Sequence, residues 1–185
     1  TTAYDISACL VGSEMCIRDS SYPKPVIMLA EGAAMAGGLG MLCAGDIVVV
    51  TEDCKFALTE TTLGIPPAQI APFVSQRIGL AKARRIMLTA ARFTGKEAHE
   101  MGLADFVAKD ADDLKVIETD IKKGVLKCAP GANAVTKEIV LATRHLTRKE
   151  MIEFAAKGFA ERMLSDEGKE GISSFIEKRK PKWSK

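Results

Sequence analysis

The sequence predicts an α/β fold in which short buried strands occupy the first half and helices occupy most of the second. Two observations support this prediction. An apolar run, a glycine-rich turn, a helical stretch and a second apolar run follow one another within about thirty residues, which is typical of a β-α-β unit. After residue 110, apolar residues recur at helical spacing, with polar breaks between the segments.

The first predicted strand covers residues 25–30, a short run that is apolar on both faces. Residues 31–38 are small and rich in glycine, and they interrupt the apolar pattern. A short helix is expected over residues 39–45, followed by a β-branched strand over residues 47–50. A third extended piece is expected over residues 54–58.

Helices are expected to dominate the remainder of the chain. Their apolar spacing predicts helices over residues 81–91, 96–101, 114–126, 134–146, 148–164 and 167–177. Gly102 is expected to end the second helix before a brief strand over residues 103–107. The chain is therefore divided into a first segment, residues 1–21, a core over residues 22–110 and a helical region over residues 111–185.

The composition excludes several classes of protein. Of the 185 residues, 26 are Lys or Arg and 24 are Asp or Glu, so the net charge is only +2. This balance gives no electrostatic basis for binding nucleic acid or an acidic membrane surface. The apolar runs are far shorter than the ~18 residues that suggest a membrane span. The five cysteines show no metal-ligand or disulfide spacing, so we expect reduced thiols in a soluble cytoplasmic protein without a bound metal.

The glycine-rich turn is the first candidate for chemistry. Gly37 and Gly38 stand where a loop turns into a helix, so their N–H groups have no partner within that helix. A phosphate, or an oxyanion that develops on a thioester carbonyl, can approach these groups because glycine has no side chain. The alternative is a tight turn that only allows a helix to pack on a sheet. The segment does not match the dinucleotide fingerprint G-x-G-x-x-G.

Glu60 is the second candidate, because it follows an extended segment and precedes a proline-rich loop. A carboxylate in these Ala, Leu and Thr surroundings suits a general acid or base, and a capping or surface acid is the alternative. His99 and His145 have no nearby nucleophile or metal-ligand partner in the sequence, so they are interpreted as solvated or packing residues. The basic residues 178–180 form either a solvated face or a charge partner for a polyphosphate.

Together these segments resemble the crotonase, or enoyl-CoA hydratase/isomerase, superfamily over residues 22–183. The resemblance implies a β-β-α spiral core, here only partial, and a C-terminal helical region that forms trimers or hexamers. The matching motifs are K-P-V-I at residues 24–27, the glycines at 32, 37 and 38, D-I at 46–47, F-A-L-T-E-T-T-L-G-I-P at 56–66 and E-G-I-S-S-F-I-E-K-R at 170–179.

The resemblance also implies a site. Acyl-CoA thioesters would bind with their carbonyl in an oxyanion hole of two backbone N–H groups, one of them from Gly37. Glu60 matches a catalytic glutamate that handles a proton of water or of the substrate. Phe159 and Lys178 resemble positions that contact coenzyme A. Coenzyme A would be part of the substrate, and no separate cofactor is implied.

Two features depart from the family pattern. Archetypal hydratases have a glutamate three residues beyond the oxyanion glycine, and this sequence has Gly40 there. Glu60 alone would therefore activate water, or would move a proton between C2 and C4 as in single-glutamate isomerases. The proline-rich loop at residues 66–73 replaces a glycine-rich stretch and is expected to reshape the acyl pocket. These features look most like the isohexenylglutaconyl-CoA hydratase branch.

Residues 1–20 resemble nothing in the family, whose members carry a longer stretch before the K-P-V-I strand. We expect an N-terminally truncated enzyme preceded by a foreign segment, with a natural divergent N-terminus as the alternative. Three functions stay open. They are an acyl-CoA hydratase acting on a 2-enoyl thioester, a single-glutamate enoyl-CoA isomerase, and a non-catalytic fragment that binds partners through its helices.

Overall fold

The computed structural model describes residues 20–184. In that range the chain forms two compact units. The core unit comprises Ser20 and Val26–Thr119, and the C-terminal unit comprises Ser21–Pro25 and residues 120–184. Apart from Ser20, the segment predicted to be foreign lies outside the described residues.

The core unit holds two small sheets, each with three strands, in the orders β1-β3-β6 and β2-β4-β5. The first sheet is parallel throughout. In the second, β2 and β4 are parallel, whereas β4 and β5 are antiparallel. The strands are β1 (Ile27–Ala30), β2 (Ala33–Met35), β3 (Ile47–Thr51), β4 (Lys55–Ala57), β5 (Arg92–Thr94) and β6 (Phe106–Ala108).

Helices connect these strands and then form the C-terminal part of the chain, as the α/β prediction requires. A short 3-10 turn, Glu60–Leu63, follows β4. None of the helices within residues 20–184 is both long and apolar enough to cross a membrane. The helices are α1 (Gly37–Ala44), α2 (Ala71–Ile78), α3 (Leu80–Leu88), α4 (Gly95–Met101), α5 (Ala111–Leu126), α6 (Pro130–Ala142), α7 (Arg148–Leu164) and α8 (Asp166–Ile176).

The core unit is built around β3. Val48, Val49 and Val50 have no exposed surface, because the strand lies between β1 and β6 in a parallel sheet. The predicted β-α-β unit is confirmed, since β1 and β3 pair in parallel and α1 connects them. In the second sheet, Phe56 stacks on Phe93 with ring centroids 5.4 Å apart.

Some predicted elements differ from the observed ones. The loop prediction for residues 66–73 is wrong at its end, where α2 begins and Pro72 lies in the first turn, which tolerates proline. The strand expected over residues 103–107 begins later, at Phe106. The amides of Leu103 and Ala104 instead donate to Ala98 O, which closes the end of α4 around Gly102. The short strands β2 and β5 were not predicted.

Candidate active site

The parallel register of β2 and β4 brings two predicted site residues to the same edge of a sheet. Met35 lies opposite Ala57, and both strands end at this pair. The Ala36 amide continues the ladder by donating to Ala57 O at 2.9 Å. The chain after β2 begins α1 at Gly37, and the chain after β4 begins the 3-10 turn at Glu60. Because parallel strands run in the same direction, both segments leave the sheet at this edge.

The start of α1 offers backbone donors to an anion. The amides of Leu39 and Gly40 donate to Ala36 O at 3.1 and 3.2 Å, so those of Gly37 and Gly38 come before the first amide that donates within the helix. A Cβ added at Gly37 would meet no described atom within 4 Å. The open amides and the positive end of the helix dipole can therefore stabilise a negatively charged oxygen.

Ala36 makes the turn into α1 in an unusual backbone conformation. Its φ is 48° and its ψ is −118°, a region that residues with a Cβ rarely adopt. Strained residues of this kind cluster at active sites, where surrounding structure holds them in place. Here the conformation turns the chain from β2 directly into the helix whose first amide belongs to Gly37.

The surroundings of the Glu60 side chain bear on the role in proton transfer that the sequence predicts for it. Its Oε2 atom is buried and has no hydrogen-bond partner among the described residues. A buried carboxylate oxygen without a partner is unfavourable, so its natural partner is a water or a substrate group from outside the chain. This environment fits a general acid or base better than a surface acid.

The 3-10 turn that carries Glu60 is fixed at both ends. The Thr61 hydroxyl donates to Met87 O on α3 at 3.1 Å, and the Thr62 hydroxyl donates to Thr59 O at 2.7 Å. Gly64 closes the turn with φ 76°, and its amide donates back into the turn. These contacts limit the positions that the Glu60 carboxylate can take.

Gly40, where archetypal family hydratases have a glutamate, is buried in α1. A Cβ added there would lie 2.5 Å from Ile70 Cβ and closer still to Ile70 Cγ2. Side-chain carbons do not pack at such distances. The proline-rich loop therefore contributes the side chain that lies against Gly40.

Phe159 and Lys178 belong to the C-terminal unit. Phe159 lies on α7, is 67% exposed and lines an apolar groove together with Val135, Ile139 and Trp183. Lys178 follows α8, is exposed, and has φ 53°. Their contact with coenzyme A stays a prediction.

The remaining chemistry-bearing residues lie elsewhere. His99 Nδ1 lies 3.1 Å from Ala104 O at the end of α4, which fits the packing role expected for it. Within the described part of the chain, no group of three or more His, Cys, Asp or Glu residues could hold a metal ion. Cys43 and Cys54 are free and buried, and burial raises the pKa of the Cys43 thiol to about 12 and that of Cys54 to about 11.

Sequence reasoning selected Gly37 and Glu60 as candidates but did not predict the backbone conformation of Ala36 or the packing of Ile70 against Gly40. Nothing in the sequence around Ala36 predicts its positive φ, because that conformation follows from the strand-to-helix turn. Gly40 was a partial signal for Ile70, since a glycine inside a helix is unfavourable unless packing requires it. The identity of the neighbouring side chain could not be read from that signal.

Comparisons with known proteins agree with this fold. The model of the enoyl-CoA hydratase/isomerase family matches residues 14–185. A Bacillus subtilis protein named "Probable enoyl-CoA hydratase" is 32% identical over 173 residues, covering 93% of this chain and 67% of the relative. The peroxisomal Delta(3,5)-Delta(2,4)-dienoyl-CoA isomerase of Arabidopsis thaliana is 32% identical over 166 residues, covering 88% of this chain and 59% of the relative.

Solved structures are similar over nearly the whole chain. Pseudomonas aeruginosa AtuE superposes with a TM-score of 0.97 at 40% identity, covering 100% of this chain and 72% of that one. An enoyl-CoA hydratase/isomerase from Marinobacter aquaeolei gives a TM-score of 0.90 at 38% identity, covering 94% and 66%. The chain spans about two thirds or less of the curated relatives, 67%, 64% and 59% of the first three. With the family match extending over nearly all of its residues, the chain belongs to the enoyl-CoA hydratase/isomerase family.

Proposed function

We propose that the chain acts as an acyl-CoA hydratase, which adds water to the double bond of a 2-enoyl-CoA-type thioester through an enolate. One observation carries this proposal. The Oε2 of Glu60, which is buried and has no hydrogen-bond partner within residues 20–184, lies on a segment that leaves the sheet at the same edge as the helix start at Gly37. Family membership supports the thioester as the substrate class. The resemblance of residues 36–40 and of the proline-rich loop to the isohexenylglutaconyl-CoA hydratase branch supports isohexenylglutaconyl-CoA as a candidate substrate.

The two groups would divide the work of the reaction. The Gly37 amide donates to the thioester oxygen, which gains negative charge as the enolate forms, and such a donor is worth roughly 10²–10³ in rate. Glu60 takes a proton from water while the water oxygen bonds to C3. A proton then returns from Glu60 to C2, so the carboxylate is regenerated. Coenzyme A belongs to the substrate, and the scheme needs no other cofactor.

A second candidate is a single-glutamate enoyl-CoA isomerase, and the observation at Gly40 favours it. A side chain cannot be added at this position while Ile70 remains in place. A lone carboxylate is sufficient to carry one proton from C2 to C4. A non-catalytic fragment is the third candidate, and it would turn over neither type of substrate.

The C-terminal helices are proposed to form the contact of a homotrimer or hexamer. Helix α7 has no buried residue in the described chain, and Phe159 and Leu164 on it are 67% and 74% exposed. On α8, Phe175 is 85% exposed. Exposed apolar surface of this kind marks an interaction site. Phe159 and Lys178 would contact coenzyme A in that assembly, and the lack of disulfide spacing among the cysteines supports a cytoplasmic location.

The ultraviolet absorbance of the conjugated thioester tests the proposal. Hydration of a 2-enoyl-CoA removes the conjugation, whereas isomerisation of a 3-enoyl-CoA creates it. We expect wild-type protein to hydrate the 2-enoyl substrate and Glu60→Gln to lose roughly 10²–10⁴ of that rate, because the proton carrier is gone. Glu100→Gln, an exposed glutamate on α4, is the matched control and should keep the wild-type rate. Full activity of Glu60→Gln would refute the role of Glu60.

A further inference from the structure

The 3-10 turn that carries Glu60 is not held in place by packing. None of its four residues is buried, and the Leu63 side chain is largely exposed. Its backbone bonds are local, since the amides of Gly64 and Ile65 donate back into the turn, both at 3.2 Å. Such bonds keep the shape of the turn, but they do not fix its position on the core unit.

The Thr61 hydroxyl joins this turn to another element. It donates to Met87 O at 3.1 Å, which is the only hydrogen bond between residues 60–64 and a different helix or strand of the described chain. Met87 is buried in the last turn of α3. The carbonyls of a last helical turn have no partner within their helix, so the Thr61 hydroxyl caps α3 from outside.

The end of α3 has a fixed shape at this contact. Ala90 adopts φ 48°, in the left-handed region, and the Ala91 amide then donates back to Ile86 O at 3.0 Å. This conformation ends a helix sharply and favours glycine, because a Cβ is crowded there. The Ile86 side chain has no exposed surface, so core packing holds the strained helix end in place.

The second sheet places the turn and the end of α3 next to each other. Arg92, the first residue of β5, lies opposite Ala57, the last residue of β4. The chain enters β5 from the end of α3, and it leaves β4 towards Glu60. Because the two strands are antiparallel, both connections lie at the same end of the pair. The Thr61 bond therefore closes a ring of elements that runs through β4, the turn, α3 and β5.

This ring bears on the direction of the Glu60 carboxylate. The Oε2 atom has no hydrogen-bond partner within residues 20–184, so no such bond aims this oxygen. Its position therefore depends on the backbone that carries the side chain. A displacement of about 1 Å can cost roughly 10²-fold in rate, because proton transfer needs hydrogen-bond contact between the reacting groups.

We propose, resting on the function proposed above, that Thr61 is a positioning residue for proton transfer by Glu60. Its hydroxyl fixes the turn to the end of α3, and the fixed turn holds the carboxylate at the sheet edge where α1 begins. Thr61 itself takes no proton from water or substrate. Removing its hydroxyl should therefore slow the chemical step and leave substrate binding unchanged.

Steady-state kinetics with 2-enoyl-CoA tests this role in Thr61→Val, which removes the donor, and Thr61→Ser, which keeps it. Thr61→Val should lower kcat by about 10–100-fold and change KM by less than about twofold. Thr61→Ser should recover kcat to within about threefold of the wild-type value. A wild-type kcat for Thr61→Val, an equal loss in Thr61→Ser, or a loss confined to KM would overturn the proposal.

Thr89→Val is the matched control for the loss of a hydroxyl at this helix end. The Thr89 hydroxyl also donates to a carbonyl of α3, Arg85 O, at 2.7 Å, but this bond does not involve the turn. Thr89→Val should keep the wild-type kcat, while its Tm should fall about as much as that of Thr61→Val. A loss of kcat in Thr89→Val as large as in Thr61→Val would overturn the particular role of Thr61.

Amide hydrogen exchange of the free protein tests the hold on the turn without any substrate. The amides of Gly64 and Ile65 should exchange at least about tenfold faster in Thr61→Val than in the wild type, because the turn opens more often. Their exchange rates should not change in Thr89→Val. Unchanged exchange in Thr61→Val would refute the proposed hold. Full activity of Glu60→Gln would instead refute the proposed function, while the exchange rates still decide whether Thr61 fixes the turn.

Discussion

Strand β3 and helix α7 show how differently the two compact units treat their apolar residues. Val48, Val49 and Val50 on β3 have no exposed surface, because strands on both sides and helices on the faces cover them. Helix α7 has no buried residue among those described, and its Phe159 is 67% exposed. The core unit thus derives stability from its own packing, whereas the C-terminal helices leave apolar side chains exposed, which is the surface that the proposed assembly would cover.

The largest expected effect comes from replacing one phenylalanine in each unit with alanine. Phe56 is 1% exposed and stacks on Phe93, so Phe56→Ala should lower the free energy of unfolding by about 3–5 kcal/mol. Phe175 is 85% exposed, and Phe175→Ala should change the free energy of unfolding by no more than about 0.5 kcal/mol in dilute protein. Chemical denaturation measures both values.

Repeating this pair of measurements at several protein concentrations sharpens the comparison. The loss of stability caused by Phe56→Ala should not depend on protein concentration. Phe175→Ala should lower the stability only at concentrations where subunits associate. Sedimentation or light scattering would then show a smaller particle for Phe175→Ala than for the wild-type protein. Equal losses for both variants in dilute protein would contradict the division between the two units.

A smaller effect is expected from the two capping boxes, one in each unit. Thr94 caps α4 with Glu97, and Thr147 caps α7 with Glu150, each through the same pair of hydrogen bonds. Thr94→Ala should cost about 1 kcal/mol of global stability, because α4 contributes Ala98 to the core. Thr147→Ala should instead accelerate amide hydrogen exchange at the start of α7.

Thr→Ser at either position is the control, since serine keeps the capping hydroxyl. Hydrogen bonds from Thr94 and Thr147 lower the pKa of Glu97 and Glu150. The capping hydrogen bonds should therefore stabilise the two helices fully above the ordinary glutamate pKa, and this stabilisation should weaken as the pH falls below it. A global loss at Thr147 as large as that at Thr94 would show that α7 unfolds together with the core.

The smallest effect concerns the tail, residues 178–184, which an ion pair holds against the last helix of the C-terminal unit. Arg179 Nη1 and Nη2 donate to the two Glu170 carboxylate oxygens at 2.6 and 3.1 Å, and this pairing lowers the pKa of Glu170 to about 2. Trp183, the single tryptophan, donates from Nε1 to Lys127 O at 3.2 Å. Its fluorescence therefore reports on the tail.

Because the Glu170 pKa is lowered in the folded protein, the pair stabilises the tail above the ordinary value of 4.5 and is lost as the pH falls through about 2. The Trp183 emission should shift to longer wavelength over this range, since the ring becomes solvated. Arg179→Gln should shift the emission already at neutral pH and weaken the pH dependence, with the Lys182 amide, which donates to Glu170 at 3.1 Å, as the remaining contact. An identical titration in Arg179→Gln would show that the ion pair does not hold the tail.

The residues that local chemistry constrains were predictable from the sequence. The β-branched run over residues 47–50 predicted the strand β3, and helix α7 has the bounds that its apolar spacing predicted. Gly37 and Glu60 were selected as candidates for the same reason, since each combines a special residue type with an element boundary.

Tertiary structure alone decided the features that depend on partners distant in the chain. Strands β2 and β5 are each three residues long, too short for an intrinsic preference, and they exist because β4 pairs with both. The parallel pairing of β2 with β4 also sets the shared edge from which Gly37 and Glu60 emerge. Likewise, the sequence showed that position 40 lacks an acid, but only the packing of Ile70 against Gly40 explains why no side chain fits there. Such contacts depend on how the chain folds back on itself, which local residue patterns do not encode.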